Sequence, residues 1–482
     1  MKISKILILS ATALSLAACG EHTHSFAGEW TYDETNHWHA ATCEHTEEKS
    51  GVAAHTLGTD RKCTVCDYIA PPAPITYNVS FNGVKCTSNA QASYNEGQEV
   101  TIQITPNEGY AYPQEVYVYG GAYSYNKYDG TLKFTINEDT TIYCASFEKP
   151  KYYLSAEYND EVIHSRSELS EDGKELVSTW YYETVDVRTY SYENGRLASF
   201  KEVEKLDEGD VESDFKNYTY ENGNIVRVDF PDDEDGTKNF ELREYDEYNR
   251  ITKSVSMWGE EAYNPTTFEY PDNFTCISKR YLEYYDYETE EYTEECFTTI
   301  KKVIIDIEHN TKRVDYVESY DSSEKEYIGY EIYTFDTGKL IERLYADWSA
   351  YDIFEYNEYG DMISNITSEY DSDTGEWHED TKVTIEYNED RSLKHAESAS
   401  PVDSDIEHGY FVVCDYVCNE NGLIVSEIDK SYDDGDNYYT RNATFEYKEL
   451  KFELYDDDQE DRTNIIYGRT IGTYDLDFWY GF

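Results

Sequence analysis

At 482 residues the chain is longer than one hydrophobic core usually organises, so several units are expected. With 100 acidic against 40 basic residues it carries a formal charge of −60, a field that repels nucleic acid and anionic headgroups and leaves cations, basic proteins and neutral sugars as natural partners. The 51 tyrosines argue against disorder, because disordered chains lack aromatics, while a hydrophobic content of 39% points to a thin architecture with much exposed surface.

The chain opens with a short basic start, Met1-Lys-Ile-Ser-Lys5, and an apolar run from Ile6 to Ala18. The run is too short for a permanent membrane helix, which needs about 20 apolar residues, and it fits the h-region of a secretory signal. Its end, Leu16-Ala17-Ala18-Cys19-Gly20, resembles the lipobox of bacterial lipoproteins. The resemblance implies that residues 1–18 are a signal peptide and that Cys19 is lipidated and begins the mature chain. It also implies a place in the cell envelope, held to a membrane by lipid, with the outer membrane or cell surface favoured over the inner membrane. No later segment is long and apolar enough to cross a bilayer as a helix, so lipid is the expected anchor.

Residues 19–69 hold six of the eleven histidines: His22, His24, His37, His39, His45 and His55. Cys43 and the run Cys63-Thr64-Val65-Cys66 lie among and after them. Two thiolates two residues apart can bind one tetrahedral ion at about 2.3 Å. Cys43 and His55 would complete a Cys3His set, with His39 competing for a place. A disulfide involving Cys63 and Cys66 is one alternative, since thiols outside the cytoplasm oxidise, and a solvated polar stretch of histidines is the other. Catalytic zinc is disfavoured, because four protein ligands close the site and no His-Glu-x-x-His is present. The segment resembles a Trp-His-x3-Cys … His … Cys-x2-Cys module of some bacterial lipoproteins, a degenerate zinc ribbon, which implies structural Zn2+.

Residues 70–76, with Ala70-Pro71-Pro72-Ala73-Pro74, form a stiff extended linker. From 77 to 149 short alternating strands follow, such as Glu99-Val-Thr-Ile-Gln-Ile104 and Leu132-Lys-Phe-Thr-Ile136, separated by turn residues. The stretches Asn95-Glu-Gly97 … Thr105-Pro-Asn-Glu-Gly-Tyr110 and Phe134-Thr-Ile-Asn-Glu-Asp-Thr-Thr-Ile142 resemble divergent internalin B-repeat domains of bacterial surface proteins. That resemblance implies a β-grasp-like or immunoglobulin-like spacer and adhesion module. Cys86 and Cys144, near its first and last strands, are candidates for a disulfide.

From 150 to 482 one phrase recurs: an aromatic residue, a short acidic or Asn/Gly turn, then an aliphatic residue. Copies include Tyr192-Glu-Asn-Gly195-Arg-Leu197, Tyr220-Glu-Asn-Gly223-Asn-Ile225, Tyr356-Asn-Glu-Tyr-Gly360-Asp-Met362 and Cys418-Asn-Glu-Asn-Gly422-Leu423. Adjoining copies lie roughly 22–31 residues apart, the period of a repeat architecture. Second turns between them make each repeat two strands. Tyrosine suits a sheet wet on one side, its ring packed across strands and its hydroxyl in water. The phrase resembles the Tyr-Asp repeats of bacterial cell-surface and Rhs-type proteins. This implies a mainly β chain: an extended or curled antiparallel β-meander of hairpins, on the order of 20 strands, forming a spiral or open half-shell because wide sheets curl. The apolar end, Ile465 to Tyr480, is expected to cap the last edge.

No Walker loop, Gly-x-Ser-x-Gly elbow or dinucleotide fingerprint occurs, so no catalytic residue is assigned. Acidic turns at 232–236, 371–375 and 433–436 offer weak Ca2+ ligation but lack the spaced bidentate Glu of an EF-hand. Cys276 and Cys296 could pair across a hairpin; Cys414 and Cys418, about 13 Å apart along one strand, could not. The leading expectation is a non-enzymatic envelope lipoprotein presenting an acidic Tyr-rich surface to an extracellular protein or glycan. A hydrolytic, carbohydrate-active enzyme with a site on a concave face is the rival, and a structural stalk is the third reading.

Overall fold

The computed structural model describes residues 23–452 except Glu183, 207–208, 287–290, 321–325, 346–349, 372–373, 400–410 and 434–435. Cys19, the signal segment and the expected cap at 465–480 lie outside the described residues. The chain divides into two compact units, Met1–Ile75 and Thr76–Phe482.

In the first unit, β1 (Phe26–Tyr32), β2 (Asn36–Ala41) and β3 (Lys49–Ala54) form an antiparallel sheet. A loop carrying the isolated bridges Leu57↔Cys63 and Lys62↔Ile69 follows. Among its described residues only His37 and Cys63 are buried, so this unit has no apolar core of its own.

The second unit begins with eight short strands. These are β4 (Thr76–Val84), β5 (Cys86–Ser88), β6 (Ser93–Asn95), β7 (Glu99–Pro106), β8 (Val116–Tyr119), β9 (Tyr123–Asn126), β10 (Thr131–Thr135) and β11 (Thr140–Ala145). They make two four-stranded sheets, β5-β7-β10-β9 and β6-β4-β11-β8, with β4 and β11 parallel. The alternation seen in sequence decides what is inside: Val100, Ile102, Ile104, Leu132, Phe134 and Ile142 fill the space between the sheets. Fully burying each such side chain contributes about 1.5–3 kcal/mol.

From β12 (Tyr152–Asn159) to β33 (Asp436–Glu449), 22 strands run antiparallel to their chain neighbours and close into a barrel. The last strand pairs with the first, from Tyr152↔Glu449 to Asn159↔Ala443. This corrects the expectation of an open spiral or half-shell. Closure satisfies the backbone donors and acceptors of both edges, which an open meander would leave as a template for aggregation.

Successive turns alternate between the two ends of the barrel. One end carries the repeated phrase. Asn194 and Gly195 (φ 54° and 80°) and Asn222 and Gly223 (φ 51° and 90°) both place two consecutive residues in the left-handed region, as a type I′ hairpin turn requires. A bulge accompanies the phrase aromatic in copy after copy, at Tyr192, Tyr220, Tyr245, Tyr356 and Tyr387.

The phrase also has a packing role that its spacing did not disclose. Tyr220 donates its hydroxyl to the Leu197 carbonyl (2.9 Å), Tyr245 to Ile225 (2.8 Å), Tyr356 to Leu340 (2.7 Å) and Tyr387 to Met362 (2.8 Å). Each acceptor is the aliphatic residue of the preceding copy, so these repeats are tied to their neighbours. In the copy that opens on cysteine, the Cys418 thiol makes the same contact with the Leu393 carbonyl at 3.5 Å. These hydroxyls therefore face backbone rather than water, and burial pushes the Tyr356 hydroxyl up to about 12.

Buried clusters line the inward face, one around Tyr190, Leu197, Phe200 and Val228, another around Phe354, Val383, Leu393 and Phe445. The opposite face carries ion pairs around the circumference: Arg166–Glu168, Lys201–Glu212, Arg227–Asp229, Lys253–Glu244, Lys279–Glu269, Arg313–Asp315 and Lys394–Glu386.

Candidate metal centre and the two barrel mouths

Strand pairing builds the metal centre. Register sets His37 opposite Ala53, so His55, two residues on, falls beside it. The Cys63-to-Cys66 turn then brings two sulfurs to the same point. Cys63 Sγ lies 3.7 Å from His37 Nδ1, and Cys66 Sγ lies 3.5 Å from His55 Nδ1. All four ligand atoms are within 4.8 Å of one another. Zinc bound tetrahedrally, with Zn–S about 2.3 Å and Zn–N about 2.05 Å, would set sulfur and nitrogen roughly 3.6 Å apart. The residues present therefore fit the ion.

The surroundings are also those of a metal site. His55 Nε2 contacts the Asp33 carbonyl at 2.9 Å, which orients the ring and leaves Nδ1 for a ligand. Burial pushes the Cys63 thiol up, but the backbone N–H groups of Val65 and Cys66 and the His55 ring outweigh it, and the thiol settles at about 6. A thiolate at neutral pH is the form that ligates metal.

His55, Cys63 and Cys66 are thus brought together as expected, while Cys43 and His39 are not. His37 and Cys43 are six residues apart, which along extended chain is roughly 20 Å, and Cys43 emerges beside His24 instead (Sγ to Nδ1 3.6 Å). His39 stacks on Trp30, centroids 3.8 Å apart, with Nδ1 3.2 Å from the Glu29 carbonyl. His37 was missed because only strand register distinguishes it from its neighbours.

In the sandwich, Cys86 and Cys144 are buried with their sulfurs 3.5 Å apart, unbonded. In the barrel, register sets Cys276 opposite Lys301 and Cys296 opposite Tyr281, which removes the expected pairing of those two cysteines. The acidic turns use their carboxylates on protein donors: Asp232 pairs with Lys238, Asp233 accepts from Asn239 (2.9 Å) and Trp258, and Asp371 accepts from the Thr374 hydroxyl (2.8 Å).

The sandwich seats on the phrase-bearing end of the barrel. Asn273 Nδ2 donates to the Val118 and Gly121 carbonyls at 2.9 and 3.0 Å. The Arg196 guanidinium lies 3.4 Å over the Tyr128 ring. Phe147 packs so close to Gly338 that a Cβ there would meet it at 2.9 Å. Glu115 reaches Lys312 at 2.9 Å, and this ammonium holds its carboxyl below the usual range against the opposing effect of burial. Further along, the inward face is charged and paired: Arg343 lies near Glu331 (3.8 Å) and Asp352 (4.0 Å), and Arg441 near Glu427 (3.6 Å).

The other end has an open recess of about 740 Å³ lined by Phe230, Asp232, Asp233, Trp258, Glu261 and Tyr263. Trp258 and Tyr263 are each 44% exposed. The recess offers apolar ring faces flanked by carboxylate acceptors.

No family model matches the chain, and no curated protein matches it. Among solved structures, the chain is similar to a porin-like protein from Bacteroides uniformis at 10% identity and a TM-score of 0.20, over 62% of this chain and 100% of that one. So low a TM-score carries no argument about fold or function.

Proposed function

We propose that the chain is a non-enzymatic lipoprotein of the cell envelope that binds an extracellular ligand at the open end of its barrel. The observation that supports this reading is the asymmetry of the two mouths. The sandwich occupies one, and the linker and lipid-bearing start of the chain lead into that sandwich. The aromatic and acidic recess lies at the other, which the sandwich leaves uncovered. The metal centre serves as a structural knot, since four protein ligands leave no open position for chemistry.

A neutral glycan is the ligand class whose chemistry fits the recess. Sugar C–H faces pack on Trp258 and Tyr263, and sugar hydroxyls donate to Asp232 or Glu261. A charge of −60 disfavours anionic ligands. The test is a glycan array with the mature chain and with Trp258→Ala and Tyr263→Ala. Binding weakened tenfold or more by Trp258→Ala is expected. A wild-type chain that binds no glycan, or a variant that binds equally well, removes this recess as the site; release of sugar product would favour the enzyme.

A further inference from the structure

We propose that the N-terminal module holds a second transition-metal site, in which His24, Cys43 and His45 bind one Zn2+. Their ligand atoms all lie within 4.8 Å of one another. Cys43 Sγ is 3.6 Å from His24 Nδ1, again the edge of a tetrahedron with Zn–S about 2.3 Å and Zn–N about 2.05 Å.

Backbone contacts place the three residues. Pairing of Phe26 with Ala41 ends β1 against β2, and the Thr42 N–H then donates to the Ser25 carbonyl at 2.8 Å. The Ser25 and Thr42 hydroxyls meet at 2.7 Å, so the flanking residues His24 and Cys43 are held side by side. A turn closed by the Glu48 N–H on the His45 carbonyl (3.1 Å) returns His45, whose ring sits 5.1 Å from that of His24.

The chemistry differs from that of the first centre. Binding releases the Cys43 thiol proton to solvent and uses two neutral imidazoles, so the bound ion keeps one net positive charge. His24 and His45 are exposed, in contrast to the buried His37 and Cys63. The second ion is therefore exchangeable, whereas the first is locked in.

The experiment is metal content per chain of the reduced, Zn2+-saturated mature protein, measured by mass spectrometry before and after dialysis against a weak chelator. Two ions are expected before dialysis and one after. Cys43→Ser is expected to hold one ion before and after, so loss of the second site is read with the first centre intact. If Cys43→Ser loses both ions through unfolding, His45→Ala, a change on an exposed turn, decides. One retained ion in His45→Ala supports the site. Two retained ions, or a saturated wild type holding one or none, overturns it.

Discussion

Among the described residues of the N-terminal module the two buried side chains, His37 and Cys63, both belong to the candidate metal centre, whereas the barrel buries Tyr190, Leu197, Val228, Phe354, Phe445 and their neighbours and closes its sheet on itself. A unit of about 50 residues with so little apolar burial cannot offset its conformational entropy and needs a staple. The barrel spreads its stability over 22 paired strands, a repeated tyrosine tie and two buried clusters. The difference teaches that one chain can hold neighbouring units by unlike means, so each should fail separately.

Removing metal is the largest perturbation. A strong chelator under reducing conditions is expected to abolish hydrogen-exchange protection in residues 23–69 and leave strands β12 to β33 protected. Structural zinc contributes on the order of 10–16 kcal/mol in small modules. Concerted loss of protection in both units, or persistence in the module, would break the comparison.

The barrel should fail at its seam. Phe445, 4% exposed, sits on the last strand opposite Glu157 of the first. Phe445→Ala is expected to destabilise the barrel by about 3–5 kcal/mol, read by thermal unfolding, with metal content unchanged.

The sandwich is the intermediate case. Oxidation is expected to join Cys86 and Cys144 and stabilise that domain by about 2–4 kcal/mol, seen as loss of two free thiols and a higher unfolding temperature without reductant. Equal unfolding temperatures with and without reductant would place the domain with the barrel rather than with the stapled module.

The smallest effect belongs to one rung of the tyrosine tie. Tyr356→Phe removes the hydroxyl that meets the Leu340 carbonyl and is expected to cost about 0.5–1.5 kcal/mol. No change in denaturant midpoint would reduce the tie to a geometric coincidence.

Much of this was legible residue by residue. Asn194-Gly195 and Asn222-Gly223 announce type I′ hairpins, because those two residue types tolerate positive φ at least cost. Alternation at Val100, Ile102 and Ile104 marks the inner face of the sandwich. The Cys63–Cys66 spacing points to a thiolate pair on one ion. His37 was not legible, since six histidines share one short segment and only the pairing of β2 with β3 selects among them. Nor was the tyrosine tie, because a hydroxyl's partner depends on which carbonyl the neighbouring strand presents.

By itself the sequence determined the local choices: strands, turns, the repeat and the donor atoms available for metal, all of which depend on residues a few positions apart. Tertiary structure decided what depends on distant register. It joined β12 to β33 and turned an open meander into a closed wall. It seated the sandwich on one mouth, and it moved Cys43 out of the first ligand set and into company with His24 and His45. The physical reason is common to all three: pairing energies along strands are nearly uniform, so the partner at long range is selected by closure and packing, which local spacing does not encode.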